Sequence, residues 1–258
     1  MSFKAAYDNF CNRLYRIARK RIYPSLRNSQ YVYREALAEA LVGEGRWLDV
    51  GCGHQFLPDW MDVSDRRLDL GRWQTTGIDP DLQSLRRHDA LALRVCGGAE
   101  HLPFNDGAFT LVTANMVLEH IATPGRFFEE VARILAPGGT LLVHTPNARG
   151  YTTWLTRLLP AVLIKPLARM LLDRKADDVY PTHYRANTLP VLTELARPHQ
   201  LVPCRMELVD SSPQLIRIPP LMAIEVILMR AVQSNREATT RPCILAIFKK
   251  KQNGPTAR

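Results

Sequence analysis

The chain has little cysteine and no long apolar run, and each absence excludes a class of protein. Its 258 residues include five cysteines, no two of them at the spacing of a metal-ligand pair or a CxxC redox pair. The odd number also argues against a full disulfide framework, so we expect a reducing, cytoplasmic setting. No stretch approaches the roughly 18 to 20 apolar residues of a spanning helix, and we find no apolar segment typical of a signal peptide. We therefore expect a globular chain without a metal site.

Acidic residues are scarce relative to basic ones. Lysine and arginine total 34 and aspartate and glutamate 25, which gives a formal net charge of +9. The excess is concentrated in residues 1–27, which hold seven basic side chains and one acidic one. Such a segment suits an anionic partner such as a lipid surface, a nucleic acid or a phosphorylated substrate. A solvated helix face is the alternative.

Short apolar segments alternate with helical patterns along most of the chain. Apolar residues from Phe3 to Ile17 recur at steps of 4, 3, 4 and 3, which predicts an N-terminal helix. A second helix is predicted over 31–41. Between 46 and 145 five short apolar strands alternate with helices, one of which we place at 55–61. This alternation is typical of a parallel sheet covered on both faces. Later strands are predicted at 201–209 and 243–249.

The first strand runs into a glycine turn, in the sequence Trp47-Leu-Asp49-Val-Gly51-Cys-Gly53-His-Gln. Glycines at a strand end let the backbone approach a ligand where a Cβ would clash. The dinucleotide pattern Gly-x-Gly-x-x-Gly is incomplete, because Phe56 occupies its third glycine position. The turn therefore disfavours a pyrophosphate ligand.

An aspartate ends the second strand, in the sequence Gly77-Ile-Asp79. A carboxylate at this position can accept hydrogen bonds from both hydroxyls of a ribose. The alternative is a strand-end aspartate that starts a turn with Pro80.

Three further motifs follow in order, and together they carry a resemblance. They are Gly97-Gly-Ala-Glu-His-Leu102, Ala114-Asn-Met-Val-Leu-Glu-His120 and Arg133-Ile-Leu-Ala-Pro-Gly-Gly-Thr-Leu141. With the two strand-end motifs they make residues 46–147 resemble the class I S-adenosylmethionine-dependent methyltransferases of type 11. The resemblance implies a Rossmann-like, seven-stranded, mostly parallel sheet with helices on both faces, an antiparallel last strand and a helical cap insertion.

The resemblance also implies a cofactor, S-adenosylmethionine, and residues to hold it. The glycine turn would run beneath its methionine part, Asp79 would bind the ribose, and the backbone near Ala99 and Glu100 would flank the adenine. The predicted cofactor set is Asp49, Gly51, Cys52, Gly53, His54, Asp79, Pro80, Gly98, Ala99, Glu100, Asn115 and Met116. Three positions depart from the family pattern, which has glycine at Gln55 and aspartate at Gly98 and Thr110. The aspartate missing at Gly98 commonly contacts the adenine amino group.

Methyl transfer from an activated sulfonium needs chiefly alignment, and an oxygen acceptor also benefits from a base. Histidine suits that role at neutral pH, and His120, His144 and His183 stand at or after strand ends. The alternative for each is a packed or capping histidine. We select His120 and His183 as the candidate catalytic residues.

The predicted organisation has five parts. They are an N-terminal helical segment at 1–41, a cofactor-binding core at 42–147, a helical cap at the substrate at 148–200, the completion of the sheet at 201–250 and a disordered tail at 251–258. The cap includes apolar and basic residues over 154–172, which form either a lid or a contact with an anionic membrane, at its inner face.

The predicted function is methyl transfer to a small-molecule or lipid-linked acceptor, at oxygen. One alternative is a non-catalytic, regulatory relative that keeps the fold. Another is an RNA methyltransferase, which charge alone suggests and which lacks a recognisable RNA-binding appendage.

Overall fold

The computed structural model describes residues 3–153, 181–234 and 239–252. One seven-stranded sheet runs through it, in the order β3-β2-β1-β4-β5-β7-β6. The strands are β1 Glu44–Val50, β2 Arg72–Asp79, β3 Leu93–Cys96, β4 Phe109–Asn115, β5 Leu135–Pro146, β6 Leu201–Val209 and β7 Cys243–Lys250. The sheet is mixed, with antiparallel strands at the end of the chain. This architecture confirms the predicted fold class.

The α-helices of the described residues are α1 Phe3–Ile22, α2 Ser29–Ala40, α3 Val63–Arg66, α4 Leu82–Arg87, α5 Pro124–Ile134, α6 Leu189–Ala196 and α7 Pro219–Ser234. Local sequence explains several of their starts. The Asp81 carboxylate accepts the backbone N–H of Gln83 at 2.9 Å and so caps α4. Pro124 is the first residue of α5, a position where a backbone N–H would have no acceptor within the helix.

The register of the parallel strands decides where the motifs meet. Asp49 of β1 lies level with Gly77 of β2 on one side and with Thr113 of β4 on the other. The carboxyl ends of β1, β2 and β4 therefore reach the same edge of the sheet. Open α/β sheets bind their ligands at such an edge.

The core surrounds the central strands, because β1, β4 and β5 are apolar on both faces. Trp47 and Val112 are fully buried there. Helix α5 covers one face with Phe127, Phe128 and Val131, which are also fully buried. Two covered faces explain why these strands appear in the sequence as almost unbroken apolar runs.

One predicted helix is wrong. Residues 55–61 form turns and bends, and the next helix is the short α3 that begins at Val63. The cause is Pro58, which lacks an N–H and disfavours helical geometry in the residue before it. Its carbonyl instead accepts the N–H of Met61 at 3.1 Å in a tight turn.

The Pro137-Gly138-Gly139 segment of the last motif lies inside a longer strand. Strand β5 begins at Leu135, and its register against β4 shifts between the pairs Phe109–Leu135 and Leu111–Thr140. The intervening residues bulge out of the ladder, as an insertion into a strand pair does.

The contacts divide the chain into two units. One comprises Met1–Ser29, Asn147–Pro181 and Leu208–Cys243, and the other Gln30–Pro146, Thr182–Glu207 and Ile244–Arg258. The first has its own apolar cluster, formed by Tyr23, Leu26, Met222, Val226 and Met229. The five sequence-predicted segments stay predictions, and within them 154–180 and 253–258 lie outside the described residues.

Candidate functional site

The glycine turn after β1 leaves space for a ligand. Gly51 and Gly53 both have left-handed backbones, with φ of 65° and 54°. A Cβ on Gly51 would collide with the Val117 side chain, whereas no atom lies within 4 Å of the corresponding position on Gly53. The first glycine is therefore required by packing, and the second leaves the turn open on its outer side.

Asp79 fastens this turn to the end of β2. Its Oδ2 accepts the backbone N–H of Gly53 at 2.9 Å, and its Oδ1 accepts that of Asp81 at 2.8 Å. Burial raises the pKa of the Asp79 carboxyl, and the two backbone hydrogen bonds partly oppose that effect. Each carboxylate oxygen has a second lone pair, so the group can accept two further donors.

A cavity opens at the same edge of the sheet. It is lined by Gly51, Ile78, Pro80, Gly97, Gly98, Ala99, Glu100, Val117, His120, Ile121 and Ala122. The lining is mostly apolar side chains and glycine backbone, with the polar Glu100 and His120 among them. The sequence predicted six of these residues: Gly51, Pro80, Gly98, Ala99, Glu100 and His120. It missed the apolar wall of Ile78, Val117 and Ile121, because these residues look like ordinary core.

Glu100 contributes its stem and backbone to the cavity, while its carboxylate is engaged elsewhere. Its Oε1 accepts both the backbone N–H and the hydroxyl of Thr123, the latter at 2.6 Å. These hydrogen bonds, chiefly that of the hydroxyl, lower the pKa of Glu100. The carboxylate thereby fixes the loop that leads into α5, which forms one wall of the cavity.

Asp49 is buried between strands and is not part of the cavity lining. The Thr113 hydroxyl donates to its Oδ1, and the indole Nε1 of Trp47 donates to the same hydroxyl oxygen at 2.8 Å. Burial raises the pKa of Asp49 to about 7, although the Thr113 hydrogen bond lowers it and the nearby Asp79 charge raises it. Its predicted contact with the cofactor stays a prediction.

Asn115 and Met116 stand at the end of β4 next to a buried histidine. The ring of His144 is fully buried, with Nδ1 2.7 Å from Asn115 Oδ1, and it stacks on Tyr33. Burial lowers the pKa of His144 to about 3, so the ring is neutral and Nδ1–H donates. Gln30 also bonds the Asn115 amide, at 3.2 Å. His144 is thus a packed core histidine.

His120 lies at the cavity beside a buried carboxylate. Its Nε2 is 3.9 Å from Oε1 of Glu119, and the Thr145 hydroxyl donates to the other carboxylate oxygen at 3.1 Å. The Asn187 amide in turn donates to the Thr145 oxygen at 2.7 Å. Sequence reasoning assigned no role to Glu119, although its place before a candidate histidine was a usable signal.

The backbone brings His183 close to His120. The carbonyl of Glu119 accepts the N–H of His183 at 2.6 Å and that of Tyr184 at 3.3 Å. The His183 side chain is exposed and does not line the cavity. The structure therefore joins the two segments but places only His120 at the cavity.

Two residues of the predicted cofactor set point away from the cavity. Cys52 is buried in an apolar cluster with Leu85 and Leu91, and burial raises the pKa of its thiol. His54 lies 3.6 Å from Asp59 at the surface. Among the described residues, no group of three or more His, Cys, Asp and Glu side chains is arranged to hold a metal ion.

Comparison with known sequences agrees with the geometry of this edge. Residues 48–143 match the family model described as a methyltransferase domain. This segment is a type 11 methyltransferase domain of class I. The domain is 31% identical over 107 residues to a ubiquinone biosynthesis O-methyltransferase of Caulobacter, covering 40% of this chain and 41% of that protein. It is 40% identical over 76 residues to a demethylmenaquinone methyltransferase of Mycobacterium tuberculosis, covering 27% and 32%. The chain thus spans less than half the length of these relatives.

Solved structures extend the likeness of the methyltransferase domain to most of the chain. The YcgJ protein of Bacillus subtilis superposes with a TM-score of 0.53 at 17% identity, covering 86% of this chain and 99% of that one. A methyltransferase of Methanosarcina mazei gives 0.52 at 14% identity, with coverage of 84% and 97%. At these identities the likeness establishes the fold.

The buried Asp49 predicts a specific pH dependence of stability. Its pKa is higher in the folded than in the unfolded chain. The contribution of the Asp49 carboxyl to the free energy of unfolding is therefore greatest below about pH 4 and is lost as pH rises to about 7. Replacing Asp49 by Asn removes this loss. Relative to the wild type, the free energy of unfolding of Asp49→Asn should rise by on the order of 4 kcal/mol between pH 4 and 7 and then level off.

Urea unfolding across that pH range measures this difference. Asp89→Asn, which removes an exposed carboxylate, is the matched control. Its free energy of unfolding should differ from that of the wild type by the same amount at every pH. A flat difference for Asp49→Asn as well would contradict the assigned pKa.

Proposed function

We propose that the protein transfers the methyl group of S-adenosylmethionine to an oxygen atom of a small-molecule or lipid-linked acceptor. The observation that carries the proposal is the cavity at the carboxyl ends of β1, β2 and β4. There an open glycine turn, a strand-end carboxylate and a histidine stand together. S-adenosylmethionine would supply a methyl group already activated on a sulfonium.

The residues at the cavity fit this cofactor. Asp79 retains acceptor capacity for the two ribose hydroxyls, and the outer side of Gly53 is free for the methionine part. Adenine would lie against the apolar side chains of Ile78, Val117 and Ile121, beside the backbone of Gly98 and Ala99. His120 also lines the cavity and would meet the acceptor there.

The names of two relatives support a lipid-linked ring compound as the acceptor. One is called a ubiquinone biosynthesis O-methyltransferase and the other a demethylmenaquinone methyltransferase. Both names contain a quinone, and the first specifies transfer to oxygen. A ring hydroxyl of a quinone precursor is therefore the acceptor that we propose.

His120 would act as the general base. It takes the proton of the acceptor hydroxyl on a ring nitrogen as the oxygen gains its new bond to the methyl carbon. The buried Glu119 carboxylate, 3.9 Å from Nε2, stabilises the positive charge that the ring acquires. Thr145 and Asn187 hold that carboxylate in place.

Binding of the cofactor tests the first part of the proposal. Asp79→Ala removes charge-assisted hydrogen bonds to ribose and should weaken S-adenosylmethionine by about 2 to 3 kcal/mol, measured by titration calorimetry. Asp81→Asn is the matched control, because it removes a charge two residues away yet keeps a good helix cap. Unchanged affinity in folded Asp79→Ala would contradict the assignment. A wild-type chain that bound neither S-adenosylmethionine nor S-adenosylhomocysteine would instead be a non-catalytic relative.

Restoring the family aspartate at position 98 gives a second test of the cofactor site. Gly98 has an ordinary backbone, and a Cβ there meets no atom within 4 Å, so a side chain fits without strain. Gly98→Asp should tighten S-adenosylmethionine by roughly 1 kcal/mol if one hydrogen bond to adenine forms. Gly98→Ala, which adds only the Cβ, should leave affinity unchanged. Weaker binding of Gly98→Asp with unchanged Gly98→Ala would contradict this and show that another residue already fills the place of the family aspartate.

Turnover tests the base. With a prenylated catechol as acceptor, His120→Ala should lower kcat by roughly a hundredfold to ten-thousandfold, while the Kd of S-adenosylmethionine changes little. Glu119→Gln should lower kcat by a smaller factor, and His101→Ala, an exposed histidine nearby, should have no effect. Mass spectrometry of the product with a deuterated methyl donor locates the transferred group. Methylation at carbon or nitrogen, or full activity in His120→Ala, would refute the oxygen mechanism.

A further inference from the structure

Helix α7 is apolar on two opposite sides. Met222, Val226 and Met229 point into the apolar cluster with Tyr23 and Leu26. The other side is exposed to solvent, at 43% for Leu221, 53% for Ile224, 53% for Ile227 and 60% for Leu228. A helix that is apolar all round is normally covered all round. Among the described residues, the outer side of α7 is thus left exposed, although its composition is typical of a covered face.

Helix α1 runs beside α7 in the same direction. Near its start, Asp8 Oδ1 is 3.1 Å from Arg217 Nε, just before α7. At its end, the carbonyl of Ile22 accepts a hydrogen bond from the Arg230 guanidinium at 2.6 Å. Between these two contacts, Leu14, Tyr15 and Ala18 pack against the shared apolar cluster. The two helices thus lie side by side, each with an outward side exposed to solvent.

The outward side of α1 mixes basic and apolar residues. Phe10, Arg13, Ile17 and Lys20 are all exposed and follow one another at steps of 3, 4 and 3, so they share one face of the helix. Arg16 and Arg21 are exposed as well. We call these α1 residues, with the exposed side chains of α7, the α1–α7 surface.

We propose that the α1–α7 surface binds an anionic lipid bilayer. Bilayers are the partner that uses both of its properties, since aliphatic side chains insert between headgroups while lysine and arginine attract the negative lipids. Nucleic acid would use the charges and leave Ile224, Ile227 and Leu228 in water. A symmetric contact with a second copy would bring the two basic α1 faces towards each other.

The association is peripheral. No helix in the described parts of the chain is both long and apolar enough to cross a membrane. Binding thus rests on partial insertion and charge attraction, and it should weaken as added salt screens the charges. This inference is independent of the proposed methyl transfer, because it involves no residue of the cavity.

Co-sedimentation with vesicles tests whether the α1–α7 surface binds an anionic bilayer. The full chain should pellet at low salt with vesicles of phosphatidylcholine and phosphatidylglycerol, and much less with phosphatidylcholine alone. Arg13→Glu, Arg16→Glu and Lys20→Glu together should lower the partition coefficient by about a hundredfold or more. Ile224→Ser, Ile227→Ser and Leu228→Ser together should lower it by roughly tenfold, also at high salt.

Two sets of exposed residues elsewhere provide controls. Arg86→Glu, Lys249→Glu and Lys251→Glu change the net charge by the same amount away from the surface. Val42→Ser and Val63→Ser remove exposed apolar side chains from other elements. Both sets should bind vesicles more tightly than the corresponding surface variants. Equal losses in the controls would overturn the proposal, as would a protein that stays in the supernatant with anionic vesicles.

A tryptophan at the surface reports insertion directly. Leu228→Trp should gain fluorescence that shifts to shorter wavelength with anionic vesicles and is quenched by brominated lipid, relative to the wild type. No added quenching would overturn the proposal. Dimers abolished by the α7 substitutions, or retention of RNA without retention of lipid, would overturn it in favour of a second copy or a nucleic acid.

Discussion

The parallel register of β1, β2 and β4 is the constraint on which the site depends. It brings three strand ends to one edge, and Asp79 then fixes the glycine turn by accepting the N–H of Gly53. A second hydrogen bond, from the N–H of Gly51 to the Ile78 carbonyl at 2.8 Å, also joins this turn to the end of β2. The turn so held contributes Gly51 to the cavity, and the segment after β4 contributes Val117, His120 and Ile121.

The same edge concentrates acidic groups where the protein solvates them poorly. Burial raises the pKa of both Asp49 and Asp79, and each is held by donors from neighbouring chain segments, a hydroxyl for the first and two backbone amides for the second. Such groups reduce the stability of the folded chain when they ionise. A ligand with hydroxyl donors offsets this loss of stability at Asp79, because it hydrogen-bonds the ionised carboxylate. The buried carboxylate thus reduces the stability of the free protein but contributes to ligand binding.

Much of this could be predicted from the sequence, for identifiable reasons. Buried strands gave unbroken apolar runs, and the motifs at their ends located the turn, Asp79 and His120. The helix expected at 55–61 failed, because the effect of Pro58 on its neighbour outweighed a weak pattern. The apolar wall of Ile78, Val117 and Ile121 and the partnership of Glu119 with His120 depend on contacts between distant segments. No local pattern encodes them, since the same residues would be equally suited to a core.

The order of the strands also bears on how the sheet is assembled as the chain is made. Strand β7 lies between β5 and β6, although it is the last of the seven in sequence. Until residues 243–250 have left the ribosome, β5 presents an unpaired edge and β6 has no neighbour at all. An incomplete chain therefore exposes unpaired backbone N–H and C=O groups, which can pair with another strand. Strand β7 completes the sheet, so a nascent chain risks mispairing until residues 243–250 have been made.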